Sequence, residues 1–241
     1  MTRSTIPRLL VATLIFLCIV LLWDASGLDL PVARLAGTPD GFAWRDRRLF
    51  ILLMHEVPRL LSWAMLAGLF VAVRWPVGFL RRLDMAARLQ LAVSVLAAVL
   101  AVSLLKNTSR SSCPWDIAEF GGTVQYVSHW AWGASDGGPG RCFPAGHASA
   151  AFAYLAGWFV LRRRLPPTAR WWLGASIVFG LLLGVAQQWR GAHFMSHTLW
   201  TAWVCWSVGL LIDGVAQVVR GRARRSKTRL STRVGAKLNQ S

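Results

Sequence analysis

Acidic residues are scarce in this 241-residue chain: ten Asp and Glu stand against 27 Lys and Arg, for a formal net charge of +17. Charged residues make up only 15% of the sequence and hydrophobic ones 55%, a balance that excludes an ordinary soluble domain. A nucleic-acid binder would share the positive charge but not apolar runs of bilayer length, so nucleic acid is not an expected partner. The four cysteines (Cys18, Cys113, Cys142, Cys205) include no CxxC pair, and no His/Cys group has zinc-ligand spacing. No pair of carboxylates suited to a metal accompanies the histidines. The expected chemistry therefore uses neither metal nor cofactor. No small-residue cleavage site follows Trp23 and Asp24, so the first apolar run reads as a retained anchor rather than a cleaved signal.

Six apolar segments are present instead: Leu9–Leu28, Leu49–Val73, Leu89–Leu105, Ala148–Leu161, Trp171–Ala186 and Thr198–Val219. Each is near the ~20 residues that a bilayer helix requires, the fourth and fifth needing flanking residues to complete the span. The predicted fold is all-α, a six-span transmembrane helix bundle. Within the second segment His55, Glu56 and Arg59 surround Pro58, which predicts a bend; His55 and Glu56 are expected to pair inside the bundle. With the N-terminus in the cytoplasm, the cytoplasmic ends carry Arg3 and Arg8, then Arg74, Arg81, Arg82 and Arg88, then Arg162, Arg163, Arg164 and Arg170, and finally eight basic residues from Arg220 to Lys237. The reverse orientation would put most of that charge outside, so both termini are expected to be cytoplasmic. Trp23, Trp44, Trp75, Trp171, Trp172 and Trp189 fall near segment ends, as interfacial aromatics do. The chain divides into a two-span region (1–80), a four-helix core (81–219) and a basic cytoplasmic tail (220–241), read as a topology determinant and a solvated, partly disordered end.

Three polar clusters survive, and the topology puts all of them on the outer face. The first runs from Lys106 through Arg110 and Cys113-Pro114 to Asp116; the second is Arg141-Cys142-Phe143-Pro144-Ala145-Gly146-His147; the third extends from Gln187 through Arg190 and His193 to His197. Lys106, Arg110, Arg141 and Arg190 supply cations that suit phosphate oxygens. Pro144-Ala145-Gly146 leading into a helix offers backbone N–H groups, with Ala145 and Gly146 as the expected donors. Two histidines can divide nucleophilic and general-acid work near neutral pH.

Together these clusters resemble the tripartite signature of the type 2 phosphatidic acid phosphatase superfamily, which includes lipid phosphate phosphatases. Its pattern is Lys, six residues, Arg-Pro; then Pro-Ser-Gly-His; then Ser-Arg, five residues, His, three residues, Asp. Lys106 and Cys113-Pro114 keep the first spacing with Cys in place of Arg, and Pro144-Ala145-Gly146-His147 has Ala in place of Ser. His193 aligns with the nucleophile, while Gln187 stands where the pattern has Arg and His197 where it has Asp. The resemblance covers roughly Leu89 to Val219. It implies that His193 attacks phosphorus to form a phosphohistidine, that His147 protonates the leaving oxygen, and that Lys106 and Arg190 stabilise the equatorial oxygens. His197 is the aligned candidate to orient His193, and Asp116, otherwise a helix cap, is a loop alternative. The substrate class implied is a lipid phosphate or diphosphate in the bilayer, cleaved at the periplasmic face of a bacterial inner membrane. A lipid phosphotransferase is the alternative within this chemistry; a non-catalytic membrane protein with a degenerate site is the alternative outside it.

Two features of the outer loops remain open at this level. Cys113 and Cys142 border the first two clusters, and an oxidising compartment would permit a disulfide between them, two free thiols being the alternative. The loop from Trp115 to Gly140, with Trp130 and Trp132, is long for a bundle connection and reads either as a lid over the headgroup or as a disordered segment.

Overall fold

The computed structural model describes residues 5–131 and 133–238, leaving Trp132 and the two chain ends outside the described residues. The apolar runs become helices in the expected order: α1 (Thr5–Ser26), a span built of α3 (Arg48–Ile51), a π-helical turn (Leu52–Glu56) and α4 (Val57–Arg74), then α5 (Met85–Thr108), α6 and α7 (Ser149–Phe152 and Ala156–Leu161), α8 (Pro166–Trp189) and α9 (Met195–Leu238). A short α2 (Asp29–Ala33) and two antiparallel two-residue strands, β1 (Gly37–Thr38) and β2 (Gly41–Phe42), follow α1. Among the described residues five helices are long and apolar enough to cross a membrane, and Ser149–Leu161 is a shorter sixth. The basic tail continues as helix to Leu238 rather than leaving the bundle as irregular chain.

Lipid tails are as apolar as leucine, so helices in a bilayer associate through close packing and polar contacts, not through the hydrophobic effect. α5 is the central element and shows how. Its buried residues Ala87, Leu91, Val95, Ala98 and Val102 recur at helical spacing, with Ala92 and Ser94 beside them. These small side chains let α4, α7 and α9 approach it. A Cβ at Gly180 of α8 would lie 2.3 Å from the Phe152 ring, and one at Gly157 of α7 would lie 2.1 Å from Trp172, so both contacts require glycine. Outward-facing Leu10, Leu14, Ile15 and Leu22 of α1 and Val178, Phe179 and Leu182 of α8 are exposed, as a lipid-facing surface requires.

The predicted bend around Pro58 takes the form of a π turn: Val57 N–H bonds to Leu52 O, five residues back. Proline has no N–H to give to the Met54 carbonyl, and Gln187 Nε2 of α8 donates to that oxygen instead, at 2.9 Å. At the other end of the bundle, Asp213 of α9 is buried and accepts from Gln90 Nε2 (3.2 Å), Arg162 Nη2 (2.8 Å), Arg163 Nη2 (3.2 Å) and Gln217 Nε2 (2.7 Å), tying α5, α7 and α9 together. Asp84 caps α5 by accepting from Ala87 N at 2.8 Å. Replacing Asp213 with Ala strands the half-buried Arg162 guanidinium. Thermal unfolding in detergent should report a loss of about 3 kcal/mol or more, whereas Glu119→Gln at the exposed Arg34–Glu119 pair should leave the transition where it is.

Candidate active site

Six segment ends meet at the mouth opposite Asp213: the C-termini of α1, α5 and α8, the π turn before α4, and the starts of α6 and α9. The long loop is folded onto them. Cys113 and Cys142 are joined by a disulfide that fastens the first polar cluster to the second. Asp136 accepts from Ser112 N (2.7 Å) and Ser112 Oγ (2.9 Å), and Ile117 bridges Val124. A second apolar cluster of Ala33, Phe42, Ile117, Phe120, Val124 and Phe194 lies beneath. It sets His193, because Phe194 is its anchor and Gly191, at φ 73°, has no room for a side chain against the Phe42 ring. Asp29 holds the start of α9 by accepting from Ser196 N at 3.0 Å and from the Ser196 hydroxyl.

The two principal histidines come together. His147 Nδ1 lies 3.3 Å from His193 Nε2, and His193 Nδ1 faces the disulfide sulfur of Cys142 at 3.5 Å. A disulfide sulfur carries no proton, so it is at most a weak acceptor for an Nδ1–H. That tautomer leaves His193 Nε2 with its lone pair, and His147 Nδ1–H donates to it. Cys142, His193 and His197 offer ligand atoms within 4.8 Å of one another, a metal-like grouping. The cysteine's engagement in the disulfide removes the thiolate that such a site would need.

His147 also lines a cavity of about 200 Å³ with His55, Arg59, Lys106, Gly146 and Ser149. The His55 and His147 ring centroids are 4.1 Å apart. His55 therefore faces the site and does not pair with the exposed Glu56 as expected. Its entry, with that of Arg59, is the main addition to the sequence reading, and ionisable groups inside an apolar span were its signal. Lys106 packs against Gly146, where a Cβ would meet its stem at 3.4 Å. Arg190 is buried and bracketed: Nη1 donates to Gln187 Oε1 at 3.0 Å, while Nε and Nη2 donate to Arg45 O at 3.3 and 3.1 Å. Gln187 thus positions a guanidinium one turn further on, and that charge reaches His147.

Several expected residues are placed differently. The Ala145 amide donates to His197 O at 3.1 Å and cannot serve an anion; the Gly146 and His147 amides make no hydrogen bond among the described residues. Arg110 reaches Gly133 O over a separate cavity beneath the loop, and Arg141 is exposed with φ 56°; neither lines the cavity holding Lys106 and His147. Loop backbone geometry sends both outward. Asp116 caps its own turn, accepting from Cys113 N at 3.1 Å, and is not the partner of His193. His197 is buried beside His193, ring centroids 5.8 Å apart, and its Nδ1 has no partner.

A multi-pass membrane bundle with a mouth of imidazoles and cations is the class that fold and site define. Residues 87–218, more than half of the chain, match the PAP2 superfamily, and the chain belongs to it. Membership makes it a membrane phosphatase. No curated protein matches the chain. It is similar to a transmembrane PAP2-type phosphatidylglycerolphosphate phosphatase from Bacillus subtilis, known from a crystal structure, with 15% identity over 90% of this chain and 96% of that one and a TM-score of 0.49.

Burial holds His193 well below the ordinary imidazole range, and the charge of Lys106 adds to it; burial does the same to His147, with His55, Lys106, Arg190 and Arg59 contributing. Both are neutral in the folded protein at neutral pH. The unfolded chain takes up protons on these rings from about pH 6.5 downward while the folded chain does not, so stability falls on acidification through that point. Thermal midpoints at pH 7.5 and 5.5 should differ in that direction, and a His147→Gln/His193→Gln protein should show a smaller difference.

Proposed function

We propose that this protein hydrolyses the phosphate of a membrane-embedded amphiphile through a phosphohistidine on His193. One observation carries the substrate class. The polar cavity around Lys106 and His147 adjoins an apolar cavity of about 460 Å³ between α4 and α8, the two sharing Met54, Pro58, Ser62 and Ala150. The apolar one is walled by residues such as Val57, Leu61, Met65, Tyr154 and Phe179. A ligand filling both has a phosphate at one end and a hydrocarbon body at the other.

In this reading Lys106, Arg59 and Arg190, with the Gly146 and His147 amides, surround the equatorial oxygens and stabilise the charge that develops there. His193 Nε2 attacks phosphorus as the bond to the leaving oxygen breaks, and His147 gives that oxygen its proton. Water then attacks the phosphohistidine, returning a proton to His147. Attack requires phosphorus about 3 Å from Nε2, and His147 a comparable distance from the leaving oxygen. The 3.3 Å contact between the rings must therefore open, with His147 swinging toward His55 as phosphate enters. The negative charge of the bound phosphate raises the basicity of His147 and makes it a competent acid.

Orientation belongs to the same proposal: cytoplasmic termini and a site on the periplasmic side of a bacterial inner membrane. The arginine-rich helix ends lie away from the site, as positive charge at the cytoplasmic face would have it. A disulfide bordering the site suits an oxidising compartment.

Purified protein should release phosphate from lipid phosphates, screened as a panel with chelator present. His193→Ala and His147→Ala should each lower turnover by about 10³-fold and Lys106→Ala by about 10²-fold. With ³²P-labelled lipid, an acid-labile, alkali-stable phosphoprotein should form and disappear in His193→Ala. Label passing into a second lipid would make the enzyme a phosphotransferase. Absence of both phosphate release and phosphoprotein across the panel would refute the reading.

A further inference from the structure

All five histidines of the chain stand in one file. His55 faces His147, His147 touches His193, His193 adjoins His197, and His197 adjoins His129, each of the last two pairs at 5.8 Å between ring centroids. The file ends on a carboxylate, with Asp24 Oδ2 3.4 Å from His129 Nε2. Three of these residues, His129 of the long loop, His197 of α9 and Asp24 of α1, have no place in the mechanism above. Resting on the reading of His193 as nucleophile, we propose that Asp24, His129 and His197 form a carboxylate–imidazole–imidazole file that orients His193 and balances its positive charge.

The first support is the isolation of Asp24. Its side chain is 5% exposed, and that of His129 is 8% exposed. A buried carboxylate is costly unless it is paired or hydrogen-bonded. Asp24 Oδ2 accepts from Trp130 Nε1 at 2.9 Å and Trp200 Nε1 at 2.8 Å, but these donors are neutral. Among the described residues the only group of possible positive charge at ion-pair distance is His129.

A second support is the orphaned atoms. Asp24 Oδ1 and His197 Nδ1 are buried without hydrogen bonds, His129 Nε2 has only the 3.4 Å approach of Asp24 Oδ2, and all three lie along this file. Buried polar atoms are ordinarily satisfied, and a row of exceptions marks a place where protons or small rotations are accommodated. The rings are held in place by apolar contacts: Phe143 stacks on His129 at 4.3 Å and 8°, and meets His197 edge-on at 5.2 Å.

The chemistry follows from charge. When His193 takes the phosphoryl group its ring becomes cationic, in surroundings where Lys106 already disfavours positive charge. Nδ1 of His193 faces the disulfide sulfur of Cys142 at 3.5 Å, and the ring also meets the Cys142 backbone. His197 and His193 each offer a ring nitrogen, the two within 4.8 Å of one another, a gap that a bridging water or a small ring rotation closes. The proton on Nδ1 stays on His193; the negative charge of Asp24, conveyed through the oriented N–H groups of His129 and His197, stabilises it there. Asp24 and His129 are thus positioning residues, not catalytic ones. Because His129 belongs to the loop and Trp130 fastens that loop to Asp24, seating of the loop completes the file.

Asp24→Asn keeps an acceptor for both tryptophans and removes the charge. It should lower kcat on phosphatidic acid micelles by ten- to a hundredfold with KM unchanged. His197→Asp places a carboxylate directly beside His193, so the double variant Asp24→Asn/His197→Asp should match His197→Asp alone within about threefold. Multiplicative loss in the double variant, or an Asp24→Asn effect on thermal stability with kcat intact, overturns the proposal. A second readout does not depend on turnover. In protein labelled with ¹⁵N at the imidazoles, Asp24→Asn should move the ring-nitrogen signals of His197 and His193 as well as His129. A response confined to His129 overturns the proposal even in an active enzyme, and if wild type releases no phosphate the phosphatase reading fails while this spectrum still decides the file.

Discussion

The contact between His147 and His193 exists because chain segments remote in sequence are clamped at one mouth of the bundle. Each clamp is a specific bond, one covalent and the others hydrogen bonds. The disulfide joins the loop after α5 to the loop before α6, Asp29 holds the start of α9, and His197 O takes the Ala145 amide. Gln187 links α8 to the Met54 carbonyl that Pro58 leaves without a helical donor. In a bilayer an unsatisfied backbone group costs several kcal/mol, so these bonds are obligatory features of the packing. The site inherits its rigidity from them.

Polar groups concentrate at the two ends of the molecule and do different work there. Around Asp213 they are well matched, a carboxylate with two guanidiniums and two amides, which locks three helices. At the opposite mouth Lys106 and Arg59 line the cavity beside His55 and His147, with Arg190 acting on His147 from outside that lining and, among the described residues, no carboxylate lining the cavity. That surplus of positive charge is unfavourable until an anion arrives. It adds to burial in keeping the histidines neutral.

Much of this organisation was legible in the residues. Bilayer-length apolar runs located the six segments, because length and hydropathy are set by the membrane and not by the partner helices. Motif spacing singled out Lys106, His147 and His193, which the fold places near one another. What escaped depended on which way a side chain faces. The spacing of His55 and Arg59 did not reveal that the π turn aims them at His147, and the pairing of the Ala145 amide joins residues fifty-two apart. Arg110 and Arg141 had suitable charge, but loop conformation turned them away. Asp24 and His129 belong to no motif: each is a single polar residue in its own segment, united only by folding.

The apolar cavity between α4 and α8 opens among side chains that face the hydrocarbon. A molecule reaching the histidines by that route arrives by diffusion within the plane of the bilayer. The concentration that governs occupancy is then a mole fraction among neighbouring lipids, so dilution with inert lipid slows the enzyme even when the bulk amount of substrate is constant. Bilayer thickness and acyl order at the α4–α8 seam become determinants of rate alongside the chemistry of the headgroup.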